Sequence, residues 1–527
     1  MYSALFKKSK KRMVNFQMFL KLSMLIVFFA IMVVVGIYCK KHATDVKGFV
    51  LGGRNVGPWL TAFAYGTSYF SAVIFVGYAG QFGWKFGIAS TWIGIGNAII
   101  GSLLAWTILG RRTRIMSQQL ESATMPEFFG KRYQSSSLKI GASVIVFIFL
   151  IPYTASLYNG LSRLFSMAFP GIDYTVCVVL MAILTGIYVI AGGYMATAIN
   201  DFIQGIIMLI GIVAVIAAVL SQNGGFMEAL KGLSLVESET GIPGAFNSFF
   251  GPDPLGLFFV VILTSLGTWG LPQMVQKFYS IKSEKDISKG TIISTLFAVV
   301  VAGGCYFLGG FGRLFNVDVA SLGYDAVIPK MLESLSPFLI SVVIILVLSA
   351  SMSTLSSLVL ASSSTLTLDF LKDNIIKNMS EKKQLIVMRA LIVVFIAISA
   401  VIAVVQYKSN VTFIAQLMGI SWGALAGAFL APFLYGLYSK RATKASAWVS
   451  FVLGAGIMIL NMFCKPYFPK ILQSPINCGV VAMVIGLVLV PVVSLFTKAP
   501  KKDEVDKMFE SYTKTVTVQA KTALGDE

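Results

Sequence analysis

Uninterrupted apolar stretches of about twenty residues recur along this chain, and they leave few folds open. A helix needs roughly 20 apolar residues to cross the hydrocarbon core of a bilayer, and every backbone polar group inside lipid must be satisfied within the spanning structure. Apolar runs and charged breaks put spans near 17–39, 57–79, 87–109, 138–165, 173–190, 200–220, 254–274, 290–312, 336–361, 384–406, 411–438, 445–463 and 474–497, numbered 0 to 12 here. Only 12% of the 527 residues are charged, 56% are apolar, and the mean hydropathy is +0.81. A soluble protein of this length would form several domains with charged surfaces, and the charge for that is missing. A β-barrel is excluded, because its strands alternate apolar and polar residues over short segments. The chain is expected to be an all-α polytopic membrane protein embedded in the lipid bilayer.

The net charge of +19 does not point to nucleic acid. Lys and Arg sit in short loops between apolar runs, and 28 of the 42 fall on one side, in 40–54, 111–139, 277–289, 372–389, 440–444 and the C-terminal tail. That side is expected to be cytoplasmic. The basic tail 1–16 then lies outside, against the local rule. The apolar run after it has no small-residue cleavage site, so it reads as a retained span rather than a signal peptide. Residues 498–527 read as a polar, solvated tail. Cys39, Cys177, Cys305, Cys464 and Cys478 lack metal-ligand spacing, and a lone His42 builds no metal or haem site.

Four segments depart from plain lipid-facing helix. In span 1, Ala64-Tyr-Gly-Thr-Ser-Tyr-Phe-Ser-Ala72 combines glycine with hydroxyls and invites a break whose freed carbonyls must face a ligand or cavity. The alternative is close packing through small residues. In span 8, Ala350, Ser353, Thr354 and Ser357 share one helix face, extended by Ser356. Converging hydroxyls and a carbonyl suit a hard cation such as Na⁺; the alternative is hydroxyls bonded back to their own helix. Asp201 is followed directly by an apolar run, and an intramembrane carboxylate is a functional candidate, or else a helix N-terminal acid. Finally, Gly267-Thr-Trp-Gly-Leu-Pro-Gln273 interrupts span 6, five spans after the first break. Paired interruptions suggest inverted repeats with a site between them, spans 1–5 (57–220) and 6–10 (254–438), followed by two further spans in 445–497.

At these segments the sequence resembles the sodium:solute symporter family. Gly48-Phe-Val-Leu-Gly-Gly-Arg54 with Gly57-Pro-Trp59, Met125-Pro-Glu-Phe-Phe-Gly-Lys-Arg132, Ala191-Gly-Gly with Asp201 and Gln204, and Ser349 to Ser357 match its motifs in order. The resemblance implies a LeuT-type 5+5 inverted repeat, with one extra N-terminal helix and two C-terminal ones, alternating access, and Na⁺-driven uptake of a small solute by a monomer. It implies a sodium site from main-chain oxygens of Thr67, Phe70 and Ala350 with the hydroxyls of Ser353 and Thr354. A second Na⁺ would use Asp201, Ser353, Ser356 and Ser357.

The implied solute contacts are Ser71, after the break, with Thr268 and Trp269. The span 6 tract is closer in wording to amino-acid and monocarboxylate members than to sugar members. The aromatic gate of proline transporters is not reproduced, since Thr264 and Thr268 occupy its places. A small amino acid or organic acid is expected; a sugar, sialic acid, or a non-concentrative channel or sensor are the alternatives. An enzyme is not expected, because the spans offer no catalytic His, Cys or acid pair.

Overall fold

The computed structural model describes residues 2–169, 171–239, 241–376, 378–409 and 414–513. Among these residues the backbone is helical almost throughout, and its β-type pairing is one isolated bridge between Val56 and Ile281. Among the described residues, ten helices are long and apolar enough to cross a membrane, or eleven with the bent pair Pro254–Gly270 and Pro272–Ser280. The thirteen expected spans do not all appear as separate long helices, for two reasons. Span 1 is broken, and its second half runs on into span 2 through Val73–Gln119. Span 4 is the shorter apolar helix Tyr174–Ile187, joined to span 5 within Tyr174–Gln222.

That junction is Gly193, at φ +55°. A Cβ there would also lie 2.8 Å from the Phe49 carbonyl oxygen, so both the left-handed backbone and the contact call for glycine. Asp201 follows two turns later, well inside the helix and fully buried. It is therefore not a helix N-terminal acid.

Both expected interruptions are present. The first half of span 1, Pro58–Tyr69, ends at Phe70 in extended backbone (φ −87°, ψ 119°), and helix resumes at Val73–Tyr78 and Ala79–Phe86. Span 6 bends by 49° between its halves. There Leu271 is extended (φ −90°, ψ 123°), and Pro272 opens the second half, the position where a missing N–H leaves nothing unsatisfied.

Span 8 (Pro337–Leu371) and span 10 (Ile414–Tyr438) form the centre, with 78% and 83% of their apolar windows buried against 28% for span 0. Close backbone contacts knit the rest around them. Gly83 in span 1 meets Gly309 in span 7 so tightly that a Cβ on either would reach a main-chain oxygen of the other segment, at 2.0 and 2.1 Å. Span 0 packs on span 5, where Asn200 donates to the Met32 carbonyl oxygen at 3.4 Å.

Both tails depart from expectation. The helix of span 0 runs unbroken from Tyr2 to Cys39, so residues 2–16 continue it rather than form a separate tail. The start of the C-terminal tail is a docked helix, Lys502–Glu510. Asp506 pairs with Lys440 at 2.6 Å, the Arg132 guanidinium lies over Phe509 at 5.3 Å, and Tyr512 donates to the Leu437 carbonyl at 3.1 Å. Residues 514–527 fall outside the described chain.

Candidate cation and solute sites

Ending a helix in mid-membrane leaves its last carbonyls without amide partners, and in span 1 those carbonyls meet span 8. Ser353 Oγ lies 3.1 Å from the Thr67 carbonyl oxygen and 3.0 Å from that of Ala350. Thr354 Oγ1 lies 3.1 Å from Thr67 O, 3.2 Å from Phe70 O and 3.1 Å from Ala350 O. All five residues named from the sequence are thus brought together and are buried to within 1%. The two hydroxyls have one proton each, and three carbonyl oxygens face them. A pocket with more acceptors than protons is an oxygen cage suited to a hard cation.

One helical turn further along span 8 the pattern changes. Ser356 Oγ donates to the Ser353 carbonyl at 2.9 Å, the back-bonded alternative. Ser357 Oγ is 2.9 Å from Ser68 Oγ and accepts from Lys277 Nζ at 3.0 Å. The same ammonium is 3.9 Å from Asp201 Oδ2, and both side chains are buried, at 1% and 0% exposure. Of the four residues expected at a second ion site, Ser353 therefore belongs to the first cluster, and Asp201 and Ser357 face a lysine. Lys277 was expected in the cytoplasmic loop 277–289. It lies instead inside Pro272–Ser280, because the break lengthens span 6 past the twenty residues of a straight crossing.

Ser71 is buried beside the break, where its hydroxyl accepts from Val73 N at 3.2 Å. Thr268 and Trp269 do not join it. Thr268 Oγ1 donates to the Ser265 carbonyl at 2.7 Å, and Trp269 Nε1 to the Ile100 carbonyl at 2.9 Å, so they fasten span 6 to its own turn and to span 2. What faces Ser71 instead is aromatic. Tyr153 of span 3 lies by Ser71 and stands edge-on to Trp422 of span 10, with ring centroids 5.8 Å apart. Tyr153 OH, Trp422 Nε1 and Tyr78 OH are buried without a hydrogen bond of normal geometry. Tyr153 and Trp422 thus bring polar donors from two spans to the side of Ser71. Their sequence signals, Tyr153 after Pro152 and Trp422 between Ser421 and Gly423, are too slight to single them out.

Ser351, on span 8, also meets span 1. Its side chain accepts from Ala72 N at 3.3 Å, so it touches the break.

The chain is similar to known proteins over most of its length. The chain is 31% identical over 448 residues to a sodium/proline symporter of Staphylococcus aureus, covering 83% of this chain and 85% of that one. It is 27% identical over 485 residues to the osmoregulated proline transporter OpuE of Bacillus subtilis, covering 90% and 94%. A Na⁺-coupled sialic acid symporter solved in a substrate-bound outward-open state superposes with a TM-score of 0.71 at 18% identity, over 92% of this chain and 99% of that one, which establishes the shared fold. The model of the sodium:solute symporter family matches residues 49–454. With a broken span carrying free carbonyls onto a hydroxyl face, and with that match over most of its length, the chain belongs to the sodium:solute symporter family and is a membrane transporter, not an enzyme.

Proposed function

We propose that the protein is a Na⁺-coupled importer of proline or a closely similar small amino acid, working by alternating access in the cell membrane with its C-terminus in the cytoplasm. The observation that carries this reading is the oxygen cage of Thr67, Phe70, Ala350, Ser353 and Thr354 at the broken span. Na⁺ in the cage would tie the loose end of span 1 to span 8. Ser71 is the residue after Phe70, so the ion fixes the segment that borders the solute pocket. Binding of either then favours binding of the other. The inward membrane potential adds about 2.3 kcal/mol per charge per 100 mV.

The choice of solute rests on the names of the sequence relatives and on the pocket. A zwitterion suits a broken span: carbonyls at the end of its first half face an amino group, and amides at the start of its second half face a carboxylate. Tyr153, Trp422 and Tyr78 supply an aromatic wall for a compact ring, in place of the gate residues that Thr264 and Thr268 do not provide. The two interruptions support reading spans 1–5 and 6–10 as the inverted repeats.

Uptake of radiolabelled proline into proteoliposomes tests the reading. An inward Na⁺ gradient is expected to drive accumulation above the outside concentration, and an equal K⁺ gradient is not. Equilibration without accumulation would indicate a channel or sensor. Na⁺-driven uptake of a sugar but of no amino acid would overturn the choice of solute.

A further inference from the structure

Lys277 has no place in the cation cage, yet it is among the most deeply buried charges in the protein. Its ammonium donates to Ser357 Oγ at 3.0 Å, lies 3.9 Å from Asp201 Oδ2 and sits 5.0 Å above the Tyr194 ring. Neither Asp201 carboxylate oxygen makes a hydrogen bond, so the lysine is the charge shown to balance it. A buried carboxylate has to be balanced by some cation. Asp201 and Ser357 are the pair of oxygen donors, one turn from the first cage, that a second Na⁺ would need. The ammonium takes up both.

We propose that Lys277 is a tethered replacement for a second Na⁺, so that the transporter binds a single Na⁺ and Lys277 sets that number. The proposal rests on the Na⁺ reading given above. A second Na⁺ beside the ammonium would set two positive charges against one carboxylate in a desolvated interior, where like charges repel strongly. The lysine stem is anchored in the second half of span 6, whereas Asp201 belongs to span 5 and Ser357 to span 8. The ammonium therefore bridges three spans and stays tethered to span 6, in a place where a free ion would come and go with each cycle.

Binding of radioactive ²²Na⁺ to the purified full-length protein counts the sites directly, with no need for a solute. One Na⁺ per chain and a Hill coefficient of one are expected for the wild type. Lys277→Gln releases Asp201 and Ser357, and should bind two Na⁺ with a Hill coefficient above one. Lys277→Arg keeps a cation in place and should stay at one. The double variant Lys277→Gln with Asp201→Asn removes both charges together and should also bind one, near the wild-type affinity. It keeps the test open if the single variant, with its uncompensated carboxylate, does not fold, since two ions bound there would show the site never depended on the pair. Two Na⁺ on the wild type, or one on a folded Lys277→Gln, overturns the role of Lys277 while leaving Na⁺ coupling intact. No Na⁺ binding to any form removes the coupling reading itself.

Discussion

Thr354→Ala is expected to raise the Na⁺ concentration for half-maximal uptake by at least tenfold, with Ser353→Ala close behind. The Thr354 hydroxyl reaches carbonyl oxygens of Thr67, Phe70 and Ala350 at once, and Ser353 reaches two of them. Losing it removes one of five cage oxygens and leaves the Phe70 carbonyl without its tie to span 8. A hydrogen-bond-strength contact to a charge contributes about 1.5–3 kcal/mol, and about 1.4 kcal/mol is a factor of ten. Thr354→Ser keeps the oxygen and should transport at nearly wild-type Na⁺. Ser364→Ala is the control, because Ser364 only bonds back to the Ala361 carbonyl of its own helix. Ser351 cannot serve, since it holds Ala72 N. Na⁺ titration of uptake, with Na⁺-dependent thermal shifts of the same variants, reads the effect. Equal shifts for Thr354→Ala and Ser364→Ala would show that the span 8 face packs rather than binds.

How much of this cage could be read in advance depends on periodicity. Ala350, Ser353 and Thr354 recur at helical spacing within one apolar span, so a straight helix puts them on one face whatever surrounds it. The partners in span 1 are legible for a different reason. Glycine and hydroxyls in mid-span mark a break, and a break exposes carbonyls whose side chains are irrelevant, so Thr67 and Phe70 needed the family resemblance to be named.

Elsewhere the local rules meet a tertiary override. Counting twenty residues per crossing ended span 6 before Lys277, because that length assumes a straight helix. The extended residue Leu271 and the 49° bend make the crossing longer, and they bring a residue with the look of a loop lysine into the core. Thr268 and Trp269 carry the chemistry of ligand contacts, yet their donors turn to span 2 and to their own turn, a direction that composition does not encode. Tyr153 and Trp422 lie on different spans, 269 positions apart in the chain numbering, and only the packing of spans 3 and 10 brings them together.

In the proposed orientation, Arg163→Gln is expected to open the outer side of the protein. Arg163, in span 3, lies 3.6 Å from Asp325 Oδ2 in the loop between spans 7 and 8. The same carboxylate oxygen accepts from Ile414 N at the start of span 10, at 3.3 Å. Ile414 rests on span 1 just past the break, where a Cβ on Gly77 would be 2.8 Å from its Cγ2. One carboxylate thus holds span 10 over the segment that carries Ser71. Asp325 is only 1% exposed, against 27% for Arg163. Burial pushes its carboxyl above the usual range, while Arg163 and the Ile414 amide pull it back. Without the guanidinium the carboxylate is left buried and unpaired, a cost of about 1.5–3 kcal/mol that opening relieves by admitting water. The open population should then rise about ten- to a hundredfold. A cysteine at Ala415, fully buried at the seam, reports it, in a background where the half-exposed Cys464 is replaced and the other four cysteines are buried. An impermeant thiol reagent should modify that cysteine at least tenfold faster in Arg163→Gln. Adding Asp325→Asn should restore protection, because a neutral amide is far less costly to bury. The sign with pH follows: a carboxyl with a raised pKa in the closed form takes up a proton more readily there than when open, so acid favours closure. The rate of the single variant relative to the double should therefore fall as the outer medium is acidified. A cysteine at 415 that stays equally protected in Arg163→Gln would show that something other than this pair holds the outer side shut.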